Sequence, residues 1–568
     1  MSATSIPSLD QVAPSLAGRP EAWSQCFLKP AILIRVVLYL TTAIYLRTVL
    51  FDYVYDDTVL ITLNPEMASW KLVPSFFTHS FWSFLDIPRL IDFYRPLVMV
   101  VLAAVRHLAG PAPGWFHLLA AGLHVLATYL VYRLAAEAVG NQTVAAVAAG
   151  IFGLHPTKVE TAAWISGISD SLSAVFFLGS MIAYFKWRQG NRNGRRTLLI
   201  STLLLLLALF SKEAAIFAPI LIAIYEFTAA KAGLRDRLLI TLGSVWPFAA
   251  ITALAFTARI LLVRNPGGQL VNPIDPVSTM LNTPKAVLWY LGKQLWPVDL
   301  SVHYPITAVT QVSLTGFVLP LLALAVVTAV AIYLMRNSPV AILLASWFVL
   351  MIAPAILYQD ALQMHDRYFY FASVATSIGL AYLIVHFTSQ SSLLQSSVVL
   401  VLLGTMAALT FAYESYWDND TALFNRAFQV APDNPSAAEY LAEQYLNLGQ
   451  PAKAEAVARV VISNPNTAVE GWYILGNVYL SENKYREARD ALLASQQLSR
   501  VSRLPTSISL ATADFKLAKY EEAASIYRDQ ITKHPDVAFL HGNLAAVLRG
   551  LGKPEEAARE LERQRGLQ

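Results

Sequence analysis

The segment LQSSVVLVLLGTMAALTFAYESYWDNDTALFNRAFQVAPD, residues 394–433, joins two different kinds of sequence. Its first half, 394–413, is an apolar run of the roughly 20 residues that a membrane-spanning helix needs. From Glu414 the composition changes, and 417–433 reads as an amphipathic helix of a water-exposed domain. Working outward, residues 1–413 are mostly long apolar runs and 414–568 is ordinary soluble sequence. The whole-chain figures, 56% hydrophobic and 14% charged, average the two. Soluble globular proteins carry about 25% charged residues, so the average excludes a disordered chain and argues against an ordinary soluble enzyme. A single cysteine, Cys26, excludes a disulfide scaffold and a cysteine-based zinc site. The net charge of +4 is small and its basic residues are spread along the chain, so no nucleic-acid partner is expected.

Candidate spans fall at 30–51, 115–133, 139–154, 166–187, 197–211, 214–230, 239–262, 313–335, 339–357, 368–388 and 394–413, about 11 in all. Residues 1–29 lack the basic, apolar and small-residue regions of a cleavable signal, so the first span is expected to stay as an anchor. Two loops rich in Lys and Arg set the orientation. One holds Lys186, Arg188, Arg192, Arg195 and Arg196, the other Lys231, Arg235 and Arg237. Both are expected on the cytoplasmic side. The run 95–109 is short and contains Arg106 and His107, and reads as an amphipathic helix at the outer interface. The expected organisation is a cytoplasmic tail, 1–29, a membrane domain, 30–413, with a long external loop, 52–114, and an external repeat domain, 414–568. Further outer loops are expected at 155–165, 211–213, 263–312 and 358–367.

In the tail, Pro451-Ala-Lys-Ala454, Tyr485-Arg-Glu-Ala488, Tyr520-Glu-Glu-Ala523 and Pro554-Glu-Glu-Ala557 recur with their alanines 34, 35 and 34 residues apart. That period is the tetratricopeptide signature. Trp472, Leu475, Gly476 and Tyr479 supply a first-helix pattern, and Pro435, Pro465 and Pro535 punctuate repeat ends. Such a solenoid is expected to offer a concave groove to a peptide. The repeat around 504–527 lacks the Trp and Leu-Gly pattern.

Four constellations of polar residues fall on the outer side. Tyr55-Asp56-Asp57 follows the first span, and adjacent carboxylates repel, which raises one pKa and suits a general base. His155-Pro-Thr-Lys-Val-Glu160 is followed by Asp170, which falls where the next span begins. Ser211-Lys212-Glu213 offers a cation for an anionic phosphate, or a pair that neutralises itself. His365-Asp366-Arg367-Tyr368, with Asp360 nearby, offers a bidentate phosphate ligand oriented by Asp366. His303-Tyr304 and Tyr94-Arg95-Pro96 are weaker candidates, the latter for lipid head groups. Each group also fits a structural use, as a helix cap or an exposed loop. Their shared placement on one face is what points to a site. No phosphate-binding Gly-rich loop is present, so a lipid-linked phosphate is the expected substrate rather than a cytosolic nucleotide. No acidic metal cage is evident, so no metal is assigned.

The order of these motifs resembles the transmembrane-and-tetratricopeptide O-mannosyltransferase family, within the type C glycosyltransferases that use polyprenyl-phosphate sugars. The likeness is carried by Tyr55-Asp56-Asp57 with Asn64-Pro65-Glu66, Tyr94-Arg95-Pro96-Leu97, Trp115-Phe116-His117-Leu118, Leu123-His124, Val131-Tyr132-Arg133-Leu134, His155-Pro156, Glu160, Ser211-Lys212-Glu213, Asp366-Arg367-Tyr368 and the repeats. The resemblance implies an all-α fold, a membrane helix bundle followed by a tetratricopeptide solenoid. It implies transfer of a hexose, typically mannose, from a lipid phosphate to Ser or Thr of an exported protein. Asp56 and Asp57 would then be the catalytic pair. Lys212, Arg367 and Arg95 would hold the donor phosphate. His155, Glu160, Asp170, Glu213, His365 and Asp366 would line the sugar and acceptor pocket. The alternatives are a ligase or polymerase of lipid-linked glycans and a transporter or assembly scaffold.

Overall fold

The computed structural model describes residues 29–84, 93–190, 192–263, 276–304, 309–357, 364–499, 503–535 and 537–567. Cys26, most of the expected N-terminal tail and Asp360 lie outside these residues. Every regular element described is helical. Among the described residues seven helices are long and apolar enough to cross a membrane: Pro30–Leu50, Pro113–Val139, Ile165–Gln189, Leu234–Leu262, Leu314–Tyr333, Pro339–Ile356 and Ser392–Trp417. The protein is an integral membrane protein.

The runs expected at 139–154, 197–211, 214–230 and 368–388 form shorter helices, Gln142–Gly153, Arg195–Leu209, Ala218–Ala229 and Ala372–Phe387. At 1.5 Å per residue, the 12 residues of Gln142–Gly153 reach only about 18 Å. Its side chains from Thr143 to Gly153 are all buried, so it is an interior helix rather than a lipid-facing one. Each of these shorter helices begins or ends at a polar turn: Gln142–Gly153 before His155, Arg195–Leu209 and Ala218–Ala229 on either side of Lys212, Ala372–Phe387 just after Arg367.

The segment 52–114 contains the expected helix, Pro96–Ala109, which buries Val98, Met99, Leu102 and Ala103 on one face. The region treated as the loop 263–312 contains a helix that the sequence reading missed, Pro276–Leu295. Of the first basic loop, Arg188 and Arg192 reach the fully buried Glu226 of Ala218–Ala229, at 3.3 and 2.8 Å. Tyr184 donates a hydrogen bond of 2.5 Å to the same carboxylate. A neighbouring helix thus supplies the acid that partners this basic loop.

Behind Asp420–Val430 come four antiparallel pairs: Pro435–Asn447 with Pro451–Ile462, Ala468–Ser481 with Tyr485–Leu498, Leu504–Lys516 with Tyr520–Lys533, and Ala538–Gly550 with Pro554–Leu567. The repeating Ala454, Ala488, Ala523 and Ala557 sit at the buried seam. One register earlier in each pair, Ala442, Gly476, Ala511 and Ala545 are also buried. A small side chain there is enough, which is why the third pair forms without Gly. At Gly476 itself a Cβ would lie 2.5 Å from Leu492 Cγ. The turns inside the pairs repeat too, with left-handed φ at Gly449, Asn483, Ala518 and Gly552. Ala518 carries a steric cost there that Gly avoids. Ala518→Gly is expected to stabilise the protein by up to about 1 kcal/mol, measured as a shift in denaturant midpoint at unchanged slope.

Candidate active site

The first span gives way to extended backbone at Phe51, and the chain turns at Tyr55, whose φ is +56°. A bulky residue in this region costs about 1–2 kcal/mol. The Tyr55 amide donates to Asp420 Oδ1 at 2.7 Å. A hydrogen bond to a charged acceptor is worth about 1.5–3 kcal/mol net, enough to hold the turn.

The two aspartates that follow are not equivalent. Asp57 is fully buried. Its Oδ1 accepts from Ser166 N at 2.8 Å and Ser166 Oγ at 2.6 Å, and its Oδ2 from Val54 N at 3.3 Å. It fastens the loop to the Ile165–Gly167 turn. Burial raises its pKa to about 7 although these donors pull it down. Asp56 is half-buried and its carboxylate has no hydrogen-bond partner among the described residues. Burial raises its pKa to about 6, the Arg367 charge opposes this and Asp420 adds to it. A carboxylate with unused lone pairs and a raised pKa is what a general base requires; a carboxylate already saturated with donors is not.

The three candidate phosphate cations are each paired with a candidate pocket carboxylate. Lys212 Nζ lies 2.5 Å from Asp170 Oδ1, not on its neighbour Glu213. Glu213 instead accepts from Arg95 Nη2 at 3.0 Å and Arg95 Nε at 3.3 Å. Arg95 also donates to Ser169 Oγ at 3.4 Å. Burial pushes the Glu213 pKa up, but the Arg95 charge and hydrogen bonds outweigh it and hold the carboxyl below its ordinary range. Arg367 binds the buried Glu160 through its side chain and, at 3.1 Å, through its backbone amide. Its guanidinium lies over Trp164 and Tyr368, and Lys212 approaches the Tyr368 ring as well.

His365 is buried with its Nδ1 3.7 Å from Glu160 Oε1. Burial and the Arg367 charge keep its pKa well below the usual range, so it is neutral. Asp366 accepts from the Tyr304 hydroxyl at 2.8 Å, and burial next to Glu160 raises its pKa. His155 stands apart. Its Nδ1 is taken by Thr157 at 2.8 Å and its Nε2 donates to the Gln294 carbonyl at 3.0 Å. With both nitrogens committed it has no atom for a sugar, and it serves as the cap of the turn Pro156–Lys158.

Several residues are added by the structure. Tyr55 packs against Trp164, Phe424 and Tyr440, and Tyr440 stacks on His303. Trp164 meets Trp417. Beside this wall opens a cleft of about 470 Å³ lined by Lys285, Trp289, Lys293, Asp299, Tyr304 and Arg426. Such a volume accommodates a small-molecule ligand. Lys285, Trp289 and Lys293 repeat every four residues on one helix, a spacing visible in the sequence once a helix is placed there. Among the described residues no group of three or more His, Cys, Asp or Glu could hold a metal ion.

Fold and site define a helical membrane protein with a tetratricopeptide-like tail and an acidic–basic site at their junction. The comparisons with known proteins agree with the sequence reading. The family described as "Anaphase-promoting complex, cyclosome, subunit 3" matches residues 414–495. The chain is similar to protein O-mannosyl-transferase Tmtc1 of Drosophila melanogaster, 26% identical over 304 residues, covering 48% of this chain and 34% of that protein. It is 30% identical over 189 residues to protein O-mannosyl-transferase TMTC1 of Homo sapiens, covering 33% of this chain and 21% of that protein. The match thus spans about a third or less of these relatives' length. Among solved structures, ArnT from Cupriavidus metallidurans bound to undecaprenyl phosphate aligns over 84% of both chains at 14% identity, with a TM-score of 0.37. MamA aligns over 26% of this chain at 19% identity, with a TM-score of 0.23.

Proposed function

We propose that the chain is a membrane glycosyltransferase that moves a hexose, mannose in the first instance, from a polyprenyl-phosphate carrier to Ser or Thr hydroxyls of an exported polypeptide. The observation that carries this reading is Asp56, a carboxylate of raised pKa without a hydrogen-bond partner among the described residues, facing Arg367 in a site built from five separated segments. Similarity to named O-mannosyl-transferases supports it. The acceptor oxygen attacks the anomeric carbon while Asp56 takes its proton. The bond from that carbon to the phosphate oxygen breaks and polyprenyl phosphate leaves, so the configuration inverts. Arg367, already desolvated, stabilises the charge gathering on the leaving phosphate. Asp57 positions the loop, and Lys212, Arg95 and their carboxylate partners give the pocket its shape and net neutrality. Lys293 and Arg426 in the open cleft suit the donor head group.

The reading puts the site on the periplasmic or lumenal side, with the N-terminus and both basic loops in the cytoplasm. It divides the chain at residue 413 into a transferase domain and a tail that presents the acceptor. Intact mass spectrometry of the products should show single hexose additions. Addition of whole oligosaccharides would point to a glycan ligase, and transport without modification to a carrier.

Because Asp56 acts when deprotonated, kcat/KM should rise with pH through about 6 and level off above it. A profile rising only above pH 8 would assign the base elsewhere. Removing the last two helix pairs, 503–568, should reduce modification of proteins more than of short peptides. A cut at 432 is a poorer test, because it also removes Tyr440 from the Tyr55 ring.

A further inference from the structure

The water-exposed tail touches the catalytic loop at points that a detachable adaptor would not need. The Asp52 amide donates to the Asp418 carbonyl at 2.9 Å, and the Tyr55 amide to Asp420 Oδ1 at 2.7 Å. Phe424 and Tyr440, stacked on each other at 4.6 Å, close on the Tyr55 ring. On the other side Arg426 donates to the Leu300 carbonyl at 3.1 Å and pairs with Asp299 at 3.5 Å. The helix Asp420–Val430 therefore ties together two outer loops, 52–57 and 299–304.

The Asp420 carboxylate is free for this because another residue caps its helix. Asn419 accepts the Ala422 amide at 3.0 Å, the ordinary capping bond. Asp420 reaches instead across 365 residues of sequence to the backbone amide of the residue immediately before Asp56. That amide belongs to Tyr55, whose left-handed φ relaxes to extended backbone if nothing holds it. Relaxation would rotate the Tyr55–Asp56 peptide and turn the Asp56 carboxylate away from Arg367.

We propose that Asp420 is a positioning residue of the transfer reaction: from the tail it fixes the Tyr55 amide and thereby aims Asp56 at the acceptor hydroxyl. The proposal rests on Asp56 being the base. Asp420 also acts on Asp56 by its charge. The groups facing Asp56 are Asp57 and Tyr55 on its own loop, Arg367 on the 366–369 turn, Asp420 on the first tail helix and Tyr440 on the second. Asp420 favours the protonated form of Asp56 and Arg367 the ionised form.

The test uses the full chain in detergent, with Asp420→Asn and Asp420→Ala. Asn keeps an acceptor oxygen and loses the charge, so kcat at pH 8 should persist while the acid limb of kcat/KM moves to lower pH. Ala loses both, so kcat should fall on the order of 10–100-fold with little change in KM for the donor. Hydrogen exchange of the 52–57 amides should quicken in Asp420→Ala and stay slow in Asp420→Asn. Unchanged exchange in Asp420→Ala, or full kcat, overturns the positioning role. If Asp420→Ala does not fold, a Tyr55 amide that exchanges in the wild type as fast as an exposed loop amide overturns it instead. A wild-type protein that transfers from no polyprenyl-phosphate hexose overturns the transferase reading, whatever the exchange result.

Discussion

Asp56→Asn is expected to lower hexose transfer by about 10²–10⁴-fold, with expression and membrane insertion intact. The substitution removes the proton acceptor and little else, because no hydrogen bond in the described structure depends on that carboxylate. Asp57→Asn is expected to be inactive for a different reason. The Asn carbonyl oxygen can still accept from Ser166, but its NH2 group would face the Val54 amide donor to donor, so the loop loses part of its anchor. The two are separated by stability. Asp57→Asn should unfold at a lower temperature than the wild type, whereas Asp56→Asn should match or exceed it, since a buried charge is relieved. Full transfer by both single variants and by the double variant would remove the pair from the mechanism.

Arg367→Met is the second large effect, and it acts on stability as well as rate. Glu160 is buried and Arg367 is its main compensation. Breaking one side of a buried pair costs about 3–5 kcal/mol, because the remaining charge has lost its partner. Joint replacement, Glu160→Gln with Arg367→Met, should recover much of that loss without recovering transfer. If the single variant is as stable as the wild type, Glu160 finds another partner, with His365 the nearest candidate at 3.7 Å. If the double variant regains transfer, neither residue handles the donor phosphate.

These expectations separate what the sequence made legible from what it did not. The tail was legible because helix pairs can stack only when small residues meet at fixed intervals, and Ala454, Ala488, Ala523 and Ala557 keep that interval. The membrane character was legible from run length. The candidate residues were legible as a set, since polar turns that interrupt apolar runs stand out. Their pairing was not. Lys212 and Glu213 are neighbours in sequence and partners of other residues in space. Nor could sequence tell Asp56 from Asp57, because the difference lies in Ser166, 109 residues on from Asp57. The helix Pro276–Leu295 was missed because Pro284, Lys285 and Lys293 lower its apolar content below that of a span. The contact of Asp420 with Tyr55 joins the two parts that the change at Glu414 had divided.

The central claim is that Asp56 serves a transfer of hexose from a lipid phosphate to a polypeptide. Its most direct measurement follows label from polyprenyl-phosphate mannose in membranes containing the wild-type chain or Asp56→Asn at equal abundance. The account predicts label on protein Ser and Thr with the wild type and almost none with the variant. Equal labelling by the two, or label that never leaves the lipid with the wild type, would contradict it.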